Sequence, residues 1–327
     1  MKATAAFGSL LGPFIARYLT LKRALGRQYA NEGFALTHLD RFLVRQTADL
    51  TAETFALWSA AIGHLSPTVR RSWMRVVRNL CLYRQRSEAA CFVPDPTGFP
   101  QPHHARRPHL FTDEQIVRLL RATDDLQKAS TSPLRREVFR LALVLLYTAG
   151  LRRGEVVRLT LADYSPDERT LTIRESKFHK SRLVPLSPRA AREMDAYLVA
   201  RRRLPHAGEA PLLCCNLRGL RHYTGMGLGQ GFRQLFRRAG VRTATGSLPR
   251  VHDMRHTFAH AALLRWYHDG VDIEAKLPAL AAYMGHVSIV STQYYLSFFE
   301  PVAEKASERF ARHCAPFIRG ISEGGVP

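Results

Sequence analysis

The chain has 327 residues, room for two domains, and its 46% hydrophobic content is ordinary for proteins with substantial cores. Lysine and arginine outnumber the acids 48 to 27, a formal charge of +21 that far exceeds what solubility requires and points to a polyanion, DNA or RNA. No stretch approaches the roughly 20 apolar residues needed to span a bilayer, and the N-terminus lacks the layout of an export signal, which sets membrane partners aside.

The first hundred residues read as helices. Phe14, Ile15, Tyr18, Leu19 and Leu21 recur at helical spacing and predict a helix over 11–29. A second is expected to start at Thr37-His38-Leu39, and a third at Thr51-Ala52-Glu53-Thr54. A fourth starts at Ser66-Pro67-Thr68, with proline in the first turn, and runs to about Arg84. On this fourth helix Trp73, Val76, Val77 and Leu80 mark one face, while Arg71, Arg75 and Arg78 mark another. An arginine stripe is often a solvated face, but such faces usually alternate in sign. Up to Ala105 there are 13 lysines and arginines against 6 acids, which favours a module gripping phosphates without reading sequence.

Between Phe92 and Leu110 the helical pattern breaks on Pro94, Pro96, Pro100, Pro102 and Pro108, with Arg106 and Arg107 among them. This predicts a basic, proline-rich linker over 92–110, between a helical domain (1–91) and a second domain (111–327). The adjacent His103 and His104 are read as polar linker residues.

Structure resumes at Thr112, which has the spacing of a capping box with Gln115. Ser132-Pro133 opens a long apolar helix, Val138 to Tyr147, which Gly150 ends as a left-handed cap. Arg152 follows, three residues before Glu155, an arrangement that tethers a guanidinium to an acid while leaving part of its fork free. Alternation over 169–175 and 182–186 predicts a β-hairpin with Lys177 near its tip; a surface lysine is the ordinary reading of that position. Ser187-Pro188 caps the next helix, 205–228 reads as a glycine-rich loop, and a short helix from Phe232 to Arg238 stops at Gly240.

The segment from Val251 to about His268 places His252 and Arg255 three apart on one helix face. His252, His256 and His260 also have a spacing that zinc uses, but a second ligand set is missing, and a structural role is the expectation for His256 and His260. An anion site made from His252, Arg255 and Arg152 suits the charge balance better. Met284-Gly285-His286 follows, then Thr292-Gln293-Tyr294-Tyr295, whose tyrosines by themselves read equally as packed side chains. The five cysteines, Cys81, Cys91, Cys214, Cys215 and Cys314, lack C-x-x-C spacing and a disulfide framework, as in a reduced, cytoplasmic chain.

Taken together, the arginine after a helix-ending Thr-Ala-Gly, the hairpin lysine, His-x-x-Arg, Gly-His and a downstream tyrosine resemble the pattern of the tyrosine recombinases, also called phage integrases. The resemblance implies a mainly α protein. Its parts would be a SAM-like helical core-binding domain and a mixed α+β catalytic domain with a small antiparallel sheet. It assigns Arg152, Lys177, His252, Arg255, His286 and the nucleophile Tyr295 as catalytic, with Glu155 in support, and it prefers Tyr295 over Tyr294 by register from His286. The implied reaction forms a 3′-phosphotyrosyl link on double-stranded DNA and needs neither ATP nor a metal. A homo-tetramer on two duplexes is implied, and the aromatic tail after Tyr295 (Phe298, Phe299, Phe310) would pack on its own domain or on a neighbour. Arg265-Trp-Tyr-His-Asp-Gly270, with the Tyr283-Met-Gly-His286 ending, resembles integrase-like transposases of mobile elements, while the loop after Leu204 and the long span from Arg255 to His286 depart from the compact members of the family. Chromosome or plasmid dimer resolution, a type IB topoisomerase and a non-catalytic DNA-binding accessory protein are the competing readings.

Overall fold

The computed structural model describes residues 7–27, 29–101, 107–127, 132–174, 181–203, 210–213 and 221–286, together with Thr292 and Tyr295. The chain divides into two compact units, Met1–Arg106 and Arg107–Pro327.

Among its described residues the first unit holds four α-helices: α1 (Gly12–Ala24), α2 (Ala30–Gln46), α3 (Ala52–Ala61) and α4 (Pro67–Arg84). Their core is Leu11, Ile15, Leu36, Leu39, Trp58 and Val77, each buried. Helix α1 ends five residues earlier than its pattern predicts, where Gly26 turns left-handed at φ 76°. Helix α2 begins at Ala30, seven residues before the expected start. Thr37 is no cap: its hydroxyl bonds back to the Gly33 carbonyl at 2.9 Å, a mid-helix use of a residue that also favours helix starts. Thr51 does cap α3, accepting from the Thr54 amide at 3.2 Å. Helix α4 buries Met74, Val76, Val77, Leu80 and Cys81, with Trp73 only half-buried. Phe99 is buried in the same core, so the proline-rich stretch packs on the helices for its first part.

The second unit is mainly helical around a small sheet. It comprises α5 (Asp113–Asp124), α6 (Arg135–Thr148), α7 (Arg153–Arg158), α8 (Pro188–Arg201), α9 (Gly225–Arg238), α10 (Asp253–His268) and α11 (Ile273–Met284). Strands β1 (Tyr164–Ser165), β2 (Thr170–Ile173) and β3 (Arg182–Pro185) form an antiparallel sheet in the order β1-β2-β3. The register pairs Leu171 with Val184 and Ile173 with Arg182. Helix α6 is buried on nearly every side, from Val138 to Leu146, and is the axis of the core. Thr112 and Gln115 form the expected capping box at α5. Ser132 does not cap α6; its hydroxyl pairs with that of Tyr223 at 2.5 Å. Helix α9 starts at Thr224, whose hydroxyl accepts from Gly227 N, so the loop expected to reach 228 ends earlier. The four glycines in Gly225-Met-Gly-Leu-Gly-Gln-Gly231 lower helix propensity and conceal that start. Among the described residues no helix is long and apolar enough to cross a membrane.

Candidate active site

Helix α6 stops at Gly150, whose φ of 60° turns the chain back sharply. An added Cβ there would lie 2.5 Å from the Phe258 ring of α10, so the glycine is needed both for its backbone and for its small size. The turn aims the Gly150 carbonyl at Arg255, which donates from Nη1 at 2.6 Å. Two residues on, Arg152 precedes α7 and donates from Nη1 to Glu155 Oε1 at 2.8 Å. The local reading of Arg152 and Glu155 as a tethered pair thus matches the geometry.

A second helix end meets the first. Helix α11 ends at Gly285, again left-handed at φ 65°. Its last three carbonyls each receive one guanidinium. Tyr283 O accepts from Arg182 Nε at 2.7 Å, Met284 O from Arg255 Nη2 at 2.5 Å, and Gly285 O from Arg152 Nη2 at 2.7 Å. Helix-end carbonyls are the negative pole of the helix dipole and lack partners within the helix, so they suit cations. Arg255 is 1% exposed, and burial, followed by the repelling charge of Arg152, lowers its pKa to about 10. It therefore remains charged at neutral pH.

Glu155 is almost wholly buried between Arg152 and Arg182. Burial alone would raise its pKa, but the hydrogen bonds from Arg182 and from the Arg152 amide, with both positive charges, bring it down to about 2. Arg182 was read from the sequence only as the start of a strand. Its bidentate pairing with Glu155, 3.0 Å at each oxygen, makes it part of this cluster. A strand-edge arginine has no local pattern that predicts a partner 27 residues away.

His286 stacks on Tyr295, with ring centroids 6.0 Å apart and planes 17° apart, and its Nδ1 pairs with the Thr292 hydroxyl at 2.7 Å. Tyr295 is 5% exposed and belongs to an apolar cluster with Ala259, Leu263, Leu280 and Met284. The ring of α10 nearest to Tyr295 in these contacts is His256, at 5.4 Å, with His252 a further 4.8 Å from His256. His256, for which the sequence predicts a structural role, packs beside the tyrosine ring. Burial first, then neighbouring Arg255 and Arg152, lowers the His286 pKa to about 4. His252 falls to about 4 as well, through desolvation, then His256 and Arg255. One flank of His252 faces solvent, yet its cationic neighbours act in the same direction as burial. Both rings are neutral at pH 7.

Lys177 and Tyr294 lie outside the described residues, as do the tail aromatics and Arg106. Arg107 is exposed at the start of the second unit. On α4, Arg75 is exposed and Arg78 half-buried, while Arg71 Nη1 donates to the carbonyls of Phe99 and Pro100 at 3.4 and 3.1 Å. Among the described residues no group of three or more His, Cys, Asp or Glu side chains is placed to hold a metal ion.

The family described as "Phage integrase family" matches residues 109–300. The chain is 33% identical over 302 residues to the putative integrase/recombinase y4rB of Sinorhizobium fredii, covering 91% of this chain and 96% of that protein. It is 32% identical over 209 residues to tyrosine recombinase XerD of Rhizobium meliloti, 63% of each chain. The XerH site-specific recombinase, solved with its palindromic difH substrate in a post-cleavage complex, shares the fold at TM-score 0.62 and 19% identity over 85% of this chain and 78% of that one. Matched over most of the second unit by the family, and over nearly its whole length by y4rB, the chain belongs to the phage integrase family and carries out tyrosine-type site-specific recombination, cutting and rejoining DNA through a phosphotyrosyl intermediate.

Proposed function

We propose that Arg152, Lys177, His252, Arg255, His286 and Tyr295 are the catalytic residues, with Glu155 in support, and that each subunit supplies its own tyrosine. The observation carrying this reading is Tyr295 buried against His256 and His286 of the same chain, in the electrostatic field of Arg255. A phenol, with an ordinary pKa of about 10, needs help to attack phosphate at neutral pH. His252, held neutral, takes the phenolic proton. The phenolate oxygen bonds to phosphorus as the P–O5′ bond breaks, and Lys177 protonates the departing 5′ oxygen. Arg152 and Arg255 meet the charge that develops on the nonbridging oxygens, and His286 donates a further hydrogen bond. Attack by a 5′ hydroxyl of a partner strand reverses each step, so the phosphodiester energy is conserved.

Exchange between duplexes joins four subunits on two DNA segments. The stripe formed by Arg71, Arg75 and Arg78, with Arg106 and Arg107, grips the phosphate backbone, and the protein works in the cytoplasm on the nucleoid. Domains 1–91 and 111–327 divide gripping from chemistry. The role is movement of a mobile element. This is supported by 33% identity over 96% of a protein named putative integrase/recombinase, against 28% identity over 84% of XerD from Brucella suis. Chromosome or plasmid dimer resolution by the same chemistry is the second reading.

A duplex nicked near the cleavage point traps the covalent adduct, seen as a slower band on a denaturing protein gel. Tyr295→Phe is expected to abolish the adduct while DNA still shifts on a native gel. An adduct formed by Tyr295→Phe overturns the assignment and moves it to Tyr294. Recombination of flanking inverted ends, set against a chromosomal dimer site, separates the two roles.

A further inference from the structure

The arginines beside Glu155 are used differently. Arg182 is nearly buried, with 11% of its side chain exposed, and its Nε and both Nη atoms are engaged, on Tyr283 O and on the two carboxylate oxygens. Arg152 is 25% exposed and spends one N–H on Glu155 Oε1 and one on Gly285 O, out of the five a guanidinium carries. What keeps Glu155 from taking more of Arg152 is its own saturation. Oε1 accepts from Arg152 Nη1 at 2.8 Å and Arg182 Nη1 at 3.0 Å; Oε2 accepts from the Arg152 amide at 2.9 Å and Arg182 Nη2 at 3.0 Å. A carboxylate offers about four acceptor positions, and four donors occupy them.

The two forks are also crowded together under Gly285. A Cβ on that glycine would lie 2.8 Å from Arg182 Nη1 and 3.4 Å from Arg152 Nη1. The acid paired with both balances these like charges. An acid three residues from an arginine on one helical turn pairs with it readily once competing donors leave.

We propose that Arg182 is a positioning residue for strand cleavage: by filling both oxygens of Glu155 it stops that acid from closing on the whole fork of Arg152 and leaves the fork open to phosphate. The inference rests on the reading of Arg152 as a phosphate-holding residue. Arg182 begins β3, which follows Lys177 in sequence, and it bonds to the end of the helix that precedes His286.

The test measures single-turnover adduct formation on the nicked duplex at saturating protein, with native-gel affinity and thermal melting alongside. Arg182→Gln is expected to slow adduct formation on the order of 100-fold, the scale of a misplaced catalytic group, with affinity nearly unchanged. Adding Glu155→Gln is then expected to restore about tenfold, because a neutral amide no longer captures Arg152 with a charge-assisted bond. A merely structural Arg182 gives the opposite sign, a double variant no faster than the single. That result, or wild-type cleavage by Arg182→Gln, overturns the proposal. Should Arg182→Gln fail to melt cooperatively, Arg182→Lys replaces it: the single ammonium fills Glu155 incompletely, so cleavage is slowed less, and Glu155→Gln must again raise the rate. Arg152→Ala is the control. If it cleaves normally, the reading of the site fails; if it is slow while the Arg182 variants cleave normally, only this inference fails.

Discussion

The arginines of α4 and those at the end of α11 show two ways of using the same side chain. On α4, Arg75 stands exposed, and Arg71 gives one amine to two loop carbonyls and still borders solvent. At the end of α11, Arg182 and Arg255 are fixed through several donors each, and Arg255 is sealed from water. Charges in water act by number and are screened within about 10 Å at ordinary salt. Charges fixed out of water act by direction, and they cost no reorganisation when a reaction builds charge in front of them. Under the proposed function, the difference suits affinity to α4 and rate to the end of α11.

The sharpest way to break this contrast is Arg255→Ala. Adduct formation is expected to fall on the order of 1,000-fold, the upper range for loss of one preorganised donor, while native-gel affinity changes little. A parallel loss of affinity would mean that the buried arginine also serves as general grip. Next in size is Glu155→Gln, which leaves Arg152 and Arg182 without their counter-charge and is expected to cost about 3–5 kcal/mol in urea unfolding at pH 7. The sign with pH follows from a folded pKa near 2, below the usual carboxylate value of about 4.3. The stabilisation is complete above that usual value and is lost as pH falls toward 2, so wild type and variant should converge in acid.

Smaller effects are expected on α4. Arg75→Ala should weaken DNA binding equally across sequences and reduce the slope of log affinity against log salt by about 1, with cleavage at saturating DNA unchanged. The smallest signal is a proton count. Ring resonances of His252 and His286 in the free protein should titrate near pH 4 by NMR, because burial and arginine neighbours oppose the charged form. Folded rings that refuse protons the unfolded chain accepts weaken the fold as pH falls from about 6.5 toward 4. Titration near 6.5 would show that these rings are wetter than their surroundings imply.

Local features were readable from sequence because their causes are local. The Thr112–Gln115 box, the Gly150 stop and the Arg152–Glu155 pair each lie within a turn or so of chain. The assembly of the site was readable only through resemblance to a family, since periodicity says nothing about which helix ends meet. Arg182 was missed for a related reason: two of its three acceptor atoms belong to an acid 27 residues away, and the third is a main-chain oxygen. The start of α2 was missed because Thr37 is equally suited to a cap and to back-bonding within a helix. For His256 the sequence supports the ordinary reading of a packed helix histidine. Its contact with Tyr295 depends on a chain return about 40 residues later.

The consecutive carbonyls of Tyr283, Met284 and Gly285 carry one more implication, for how this chain tolerates change. Every residue type offers the same oxygen, so the guanidinium contacts themselves place no demand on which side chains occupy 283 and 284. They demand instead that each carbonyl arrive at its own arginine, in order. Inserting or deleting one residue within α11 would rotate each oxygen by about 100° around the helix and pass it to the wrong partner. Libraries of this segment should therefore be rich in functional substitutions and empty of functional length variants.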